Sequence, residues 1–191
     1  MGEVRRAWMD VVRRQLYRKA RKSTSRYLAE HPYLAQYLPL IKRISMTVTY
    51  NFDDCLERLL EEADGKVKQR KAKQQSPGKE VKGKSYEVLW RPDVYPRRGK
   101  GVIYHPNGFL PAGKAEPRSD GLVFCENEFA DQLTESIAGR YASLLQFFSR
   151  HTCLLVGLSL ADSTLKYLLR QSARLNPGHY HYLVEFEDDN Q

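Results

Sequence analysis

The feature that most constrains this chain is the junction Thr47-Val48-Thr49-Tyr50-Asn51-Phe52-Asp53-Asp54-Cys55-Leu56-Glu57. A β-branched run suited to a pleated strand ends abruptly in an Asn and an Asp, and a helix-like segment begins at once. The same alternation continues downstream. Strand candidates lie at Ile44–Tyr50, Tyr86–Trp90, Gly101–His105, Leu122–Phe124, Thr152–Val156 and His179–Phe186, with helical patterns at 52–63, 129–148 and 162–174. Strands alternating with helices predict an α/β layered domain with a largely parallel sheet. Leu154-Leu155-Val156 is apolar, as expected of a strand covered on both faces. In such a sheet ligands bind beyond the carboxyl ends of the strands, where Asn51 and Asp53 lie. The expectation is that 44–50, 101–105 and 152–156 are neighbours in one sheet, with Asn51, Asn107 and Ser159 converging on its carboxyl edge.

Upstream, Val4, Trp8, Val11, Val12, Leu16 and Ala20 recur at three- and four-residue steps. That spacing predicts an amphipathic helix with the arginines on its outer face. His31-Pro32 interrupts it, because the residue before proline avoids the helical region. A second helical segment, Tyr33 to Arg43, contains Pro39 and is expected to kink there or to form two short pieces. Residues 1–43 thus read as a helical segment packed on an α/β domain of residues 44–191. Within that domain, residues 64–84 contain no aromatic residue, no periodicity, three glycines and a proline. Such a composition predicts a flexible basic insertion. Further on, Phe129, Leu133, Ile137, Tyr141, Leu144, Leu145 and Phe148 form one apolar stripe along a single long helix.

With 191 residues, 41% of them hydrophobic, the chain can bury a sizeable core and is not of disordered composition. Its apolar runs are far shorter than the ~20 residues of a membrane span. No apolar segment follows Gly2-Glu3-Val4-Arg5-Arg6, so neither a secretory signal nor membrane contact is expected. Cys55, Cys125 and Cys153 are far apart, odd in number and include no CxxC. Neither a disulfide framework nor a four-cysteine zinc site can be assembled, and a reducing cytoplasm is the expected location. The net charge of +8 is concentrated in two runs. Residues 1–26 hold nine Lys and Arg against Glu3 and Asp10, and residues 64–84 hold eight against Asp64 and Glu80. These runs either solvate a helix face and a loop, or meet nucleic acid or anionic lipid. Weak, sequence-independent binding of nucleic acid is the expectation.

Three segments carry candidate chemistry. Asn51 and Asp53 supply the short donor and acceptor that a ribose or carboxamide needs, although alone the pair equally fits a helix N-cap. The second segment is Gly101-Val102-Ile103-Tyr104-His105-Pro106-Asn107-Gly108-Phe109-Leu110-Pro111. In the third, a strand ends in Gly157-Leu158-Ser159 before a helix opening near Asp162, which leaves backbone and hydroxyl open to a ribose or phosphate. A nucleophilic serine elbow competes there, but Ala161 replaces its second glycine.

Taken in order, these segments resemble sirtuin-like NAD-consuming domains. Thr49-x-Asn51-Phe52-Asp53 followed by Leu56-Glu57 resembles their Thr-Asn-Tyr-Asp motif. The second segment resembles their strand ending in tyrosine-histidine-x-histidine-glycine-aromatic-leucine-proline. Gly157-Leu158-Ser159-Leu160-Ala161-Asp162 resembles the Gly-Leu-Ser-x-x-Asp form common in the bacterial branch linked to phage defence. The resemblance implies a Rossmann-like, doubly wound fold without a zinc ribbon, and NAD as ligand or substrate without a metal. It implies Asn51 and His105 as catalytic candidates, with Thr49, Asp53, Asn107, Gly157, Ser159 and Asp162 binding the dinucleotide.

Two departures bear on activity. The family's second histidine activates a ribose hydroxyl, and here its place is taken by Asn107, which cannot accept a proton at neutral pH. His105 shares that strand face but starts about 6–7 Å further back. It substitutes through a changed strand end, or the base is lost, or the histidine is structural. The family's opening strand and glycine-rich phosphate loop have no counterpart before residue 44. The chain is therefore expected to be a truncated reading frame, a fragment or one half of a split protein. Three functions follow. One is NAD binding in a bacterial NAD-hydrolysing antiphage protein, with a homo-oligomer or a defence-system protein as partner. Another is a catalytically degenerate interaction or regulatory module. The third is nucleic-acid binding through the basic segments.

Overall fold

Three short parallel strands organise the first half of the chain. The computed structural model describes residues 2–18, 32–72, 86–91, 100–113, 122–158 and 160–184, which divide into two units at Leu122 and Val123. The first unit holds α1 (Gly2–Leu16), α2 (Pro32–Ile41), β1 (Met46–Val48), α3 (Cys55–Ala72), β2 (Tyr86–Leu89) and β3 (Gly101–Tyr104). The strand order is β1-β3-β2, with Thr47 and Val88 both opposite Ile103. All four residues of β3 are buried, as befits the centre of a sheet covered on both faces. Ile103 packs against Leu38 of α2 and Leu59 and Leu60 of α3. An ion pair of 2.6 Å between Lys42 and Asp64 joins the end of α2 to α3.

Several helices differ from the sequence reading. α1 turns a different face inward. Met9 and Tyr17 are buried and Arg13 is half-buried, whereas Val4 (80% exposed), Trp8, Val11 and Leu16 lie outside. Positions 9, 13 and 17 stack one above another at four-residue steps. The long side chains of Arg13 and Tyr17 bury their stems and carry polar tips to backbone carbonyls, a gain that an apolar stripe cannot match there. α2 continues through Pro39 as one element. α3 runs on to Ala72, so the first part of the segment read as an insertion is helical. Residues 73–84, where the flexible insertion was expected to continue, lie outside the described residues.

The second unit holds α4 (Glu126–Ile137), α5 (Ala142–Arg150), β4 (Leu154–Val156), α6 (Ser163–Leu175) and β5 (Tyr182–Val184). The expected single long helix is broken between α4 and α5, where Gly139 adopts φ +88°. The break divides the stripe. Tyr141, Leu144 and Phe148 are buried while Ile137 is 62% exposed. A buried polar chain links the helices: Gln132 Nε2 donates to the Tyr141 hydroxyl (3.3 Å), and Thr164 Oγ1 donates to Gln132 Oε1 (3.3 Å). Burial raises the pKa of the Tyr141 hydroxyl and keeps it protonated. β4 pairs in parallel with β5 in a separate two-stranded sheet. Leu154 is 45% exposed, contrary to the expectation of cover on both faces. Residues 122–124 are irregular where a short strand was expected.

Candidate functional site

Because β1 and β3 are adjacent and parallel, their carboxyl ends lie side by side. Thr49 N–H donates to the Tyr104 carbonyl (2.9 Å), carrying the pairing one residue past β1. The chain then turns on its own side chains. Asn51 N–H donates to Thr49 Oγ1 (3.3 Å), and Cys55 N–H to Asp53 Oδ1 (3.0 Å), the local bonds that Thr and Asp form in turns and helix caps. Asp53 thus caps the start of α3, and the Asn51 side chain stands exposed at the edge of the sheet. On the neighbouring strand, Gly108 (φ +100°) closes a turn by donating to the His105 carbonyl (3.1 Å). That turn brings the buried Asn107 against β1, its Nδ2 donating to the Tyr50 carbonyl at 3.5 Å.

His105 is 0% exposed and lies beneath this edge. Its Nδ1 is 2.8 Å from the Asn51 carbonyl and its Nε2 is 2.7 Å from Glu57 Oε1. A carbonyl can only accept, so Nδ1 carries a proton. Nε2 makes the ring's second hydrogen bond, to the Glu57 carboxyl group. The Phe109 ring, 4.5 Å away between centroids, closes over the imidazole. Both ring nitrogens are therefore committed, and the geometry is that of a buried structural histidine instead of a base facing a ligand.

The two loops are bound together. Leu110 N–H donates to the Phe52 carbonyl (2.7 Å), and Ala112 N–H to Asp54 Oδ2 (3.0 Å). α1 joins both. The Tyr17 hydroxyl donates to the Leu110 carbonyl (2.7 Å) and accepts from Asp54 N–H (2.8 Å), while Arg13 Nε donates to the Pro111 carbonyl (3.1 Å). Burial, reinforced by the charge of Asp54, raises the Tyr17 pKa far above the ordinary tyrosine range, so the hydroxyl remains a donor. Burial, and then the Asp53 carboxylate, pushes the Cys55 thiol up to about 12. It stays protonated at neutral pH and is no nucleophile.

Thr49, Asn51, Asp53, His105 and Asn107 are thus brought together in the first unit. The remaining candidates belong to the second. Gly157 follows β4 with φ +64°, a conformation that favours glycine. Asp162 accepts from Leu165 N–H (2.7 Å) and caps α6. Ser159 lies outside the described residues. Sequence reasoning gave no role to Glu57, Tyr17 or Arg13. Glu57 sits in the first turn of α3, one turn after Asp53, and in the sequence it stood only as the last residue of the motif that opens at Thr49. The partners of Tyr17 are 93 and 37 residues away, and nothing local announces them.

Among the described residues, no group of three or more His, Cys, Asp or Glu could hold a metal ion, and no helix is long and apolar enough to cross a membrane. Neither the curated proteins nor the solved structures give a match to this chain. Residues 45–191, however, match the SIR2-like domain, and such domains generally bind NAD. The match begins just before β1 and takes in the edge formed by Asn51, Asp53 and Asn107, and by its extent the chain belongs to the SIR2-like domain family.

Proposed function

We propose that this protein binds NAD at the carboxyl ends of β1 and β3, in a Rossmann-like, doubly wound domain. The observation that carries the reading is the exposed Asn51 amide and the buried Asn107 on the loops that follow two neighbouring parallel strands, loops tied together by backbone hydrogen bonds. The fit is chemical. A ribose hydroxyl and a carboxamide each need a donor and an acceptor held still, and an amide on a pinned loop offers both. Asn51 and Asp53 would hold the nicotinamide ribose, with Thr49 and Asn107 setting the loop. By the family resemblance, Gly157, Ser159 and the start of α6 at Asp162 serve the adenosine side.

NAD carries its own scissile bond and leaving group, and the chain's residues bind and orient it. With His105 committed to Asn51 and Glu57, and an amide at position 107, no histidine among the described residues of this edge is free to act as the ribose base. Turnover is therefore slow or absent. The same observation favours the second reading, a module that binds without consuming its ligand. A role in bacterial antiphage defence, a cytoplasmic location and a defence-system or self partner belong to the same proposal and rest on the resemblance alone.

Calorimetric titration with NAD, paired with an assay for released nicotinamide, tests it. Asn51→Ala is expected to weaken NAD binding about tenfold, as loss of one or two hydrogen bonds would, while the circular dichroism spectrum stays unchanged because the side chain is exposed. Unaltered affinity in this variant would remove the site from this edge. Rapid release of nicotinamide by the wild type would overturn the absence of a base.

A further inference from the structure

α1 precedes the family domain, which begins at residue 45, yet it delivers a buried side chain to both loops of the candidate edge. The Tyr17 hydroxyl sits between the loop after β1, whose Asp54 N–H it accepts from, and the loop after β3, whose Leu110 carbonyl it donates to. Both bonds are short, at 2.8 and 2.7 Å, and the residue is 2% exposed, so water cannot replace the hydroxyl without reopening the packing. One turn earlier Arg13 adds its bond to the Pro111 carbonyl. Direct bonds between the loops run at Phe52 with Leu110 and at Asp54 with Ala112, which places Tyr17 in the middle of the fastening. Asn51 lies three residues before Asp54, and Asn107 three before Leu110.

We propose that Tyr17 is a positioning residue for the ligand edge: by tying Asp54 to Leu110 it holds Asn51 and Asn107 at a fixed separation, so an element outside the family domain completes the site. A hydrogen bond to each loop from one oxygen transmits any displacement of one loop to the other. Without it, a part-buried N–H and a buried carbonyl lose their partner together, and the loops gain freedom that a ligand must then remove on binding. This rests on the NAD-binding reading above for its ligand, but the coupling of the loops does not.

The test uses the full chain and Tyr17→Phe, which keeps the ring and its packing and deletes one oxygen. Met9→Leu serves as the control, since Met9 is equally buried on α1 and touches neither loop through a hydrogen bond. Amide hydrogen exchange of the free protein is read at Asp54, Leu110 and Ala112, and NAD affinity is read alongside by titration. Tyr17→Phe is expected to speed exchange at these amides about tenfold or more and to weaken NAD binding about tenfold, while Met9→Leu changes neither. Unchanged exchange at Asp54 and Leu110 would overturn the coupling. Faster exchange with unchanged NAD affinity would overturn the positioning role. If the wild type itself fails to bind NAD, the proposed function falls, and the exchange measurement still decides whether Tyr17 couples the loops.

Discussion

His105 lies between two acceptors, the Asn51 carbonyl and the Glu57 carboxylate, and this arrangement sets what the ring contributes. Nδ1 must donate, so the ring fixes the backbone of Asn51, whose side chain is exposed at the edge. Glu57 needs only to satisfy Nε2, and an amide can do so as well by donating to a neutral ring. Glu57 Oε2 is already buried without a hydrogen-bond partner, so the carboxylate's second oxygen contributes nothing that Gln would lose. Glu57→Gln should therefore change the unfolding free energy by less than about 1 kcal/mol, whereas Glu57→Ala, which leaves Nε2 unsatisfied and opens space, should lower it by about 1–3 kcal/mol. Urea titration of both variants checks this, and equal losses would show that the charge itself is needed. The local part of the site was legible for a physical reason. The Thr49 and Asp53 side chains each accept from a backbone N–H two residues on, and such habits show in linear order. Glu57 meets a histidine 48 residues away, and no spacing rule reports that.

Elements were read correctly where periodicity alone decides them, and misread where a tertiary partner or a single glycine does. The strand–helix alternation located β1, the start of α3, β3, α6 and β5 to within a few residues. α1 was recognised as a helix, but its buried face was not, because Arg13 and Tyr17 outcompete an apolar stripe only when carbonyls of a distant loop are within reach. The stripe from Phe129 to Phe148 has unbroken periodicity, yet Gly139 interrupts it with a left-handed turn. A Cβ at position 139 would meet nothing within 4 Å, so the cost of Gly139→Ala is conformational and not steric. A left-handed Ala costs about 1–2 kcal/mol, partly offset by the lower entropy of the unfolded chain. Net destabilisation of about 1 kcal/mol is expected in thermal or denaturant unfolding. A stabilised variant would mean that α4 and α5 fuse into the continuous helix the periodicity implies.

For the whole molecule, alternation specified a mixed fold with parallel pairing, and parallel pairing is what both sheets show. It did not specify which strands pair. Pairing between distant strands depends on crossovers and register that no local pattern encodes, so the parallel pairing of β4 with β5 came only from the structure. Net charge is the other whole-molecule property, and it is concentrated at two places in the chain. On α1 and the turn after it, Arg6, Arg14 and Arg18 are exposed, Arg14 and Arg18 four residues apart. Such a surface attracts any polyanion by counterion release, without reading its sequence. Fluorescence anisotropy with labelled duplexes of two unrelated sequences, and with their single strands, should show weak binding that does not distinguish the sequences. Affinity should fall linearly on a log–log plot against salt and become negligible by about 0.15 M, because few phosphates are neutralised. A complex that prefers one sequence and survives that salt would require base contacts, and would move nucleic-acid recognition ahead of NAD as the function of this fold.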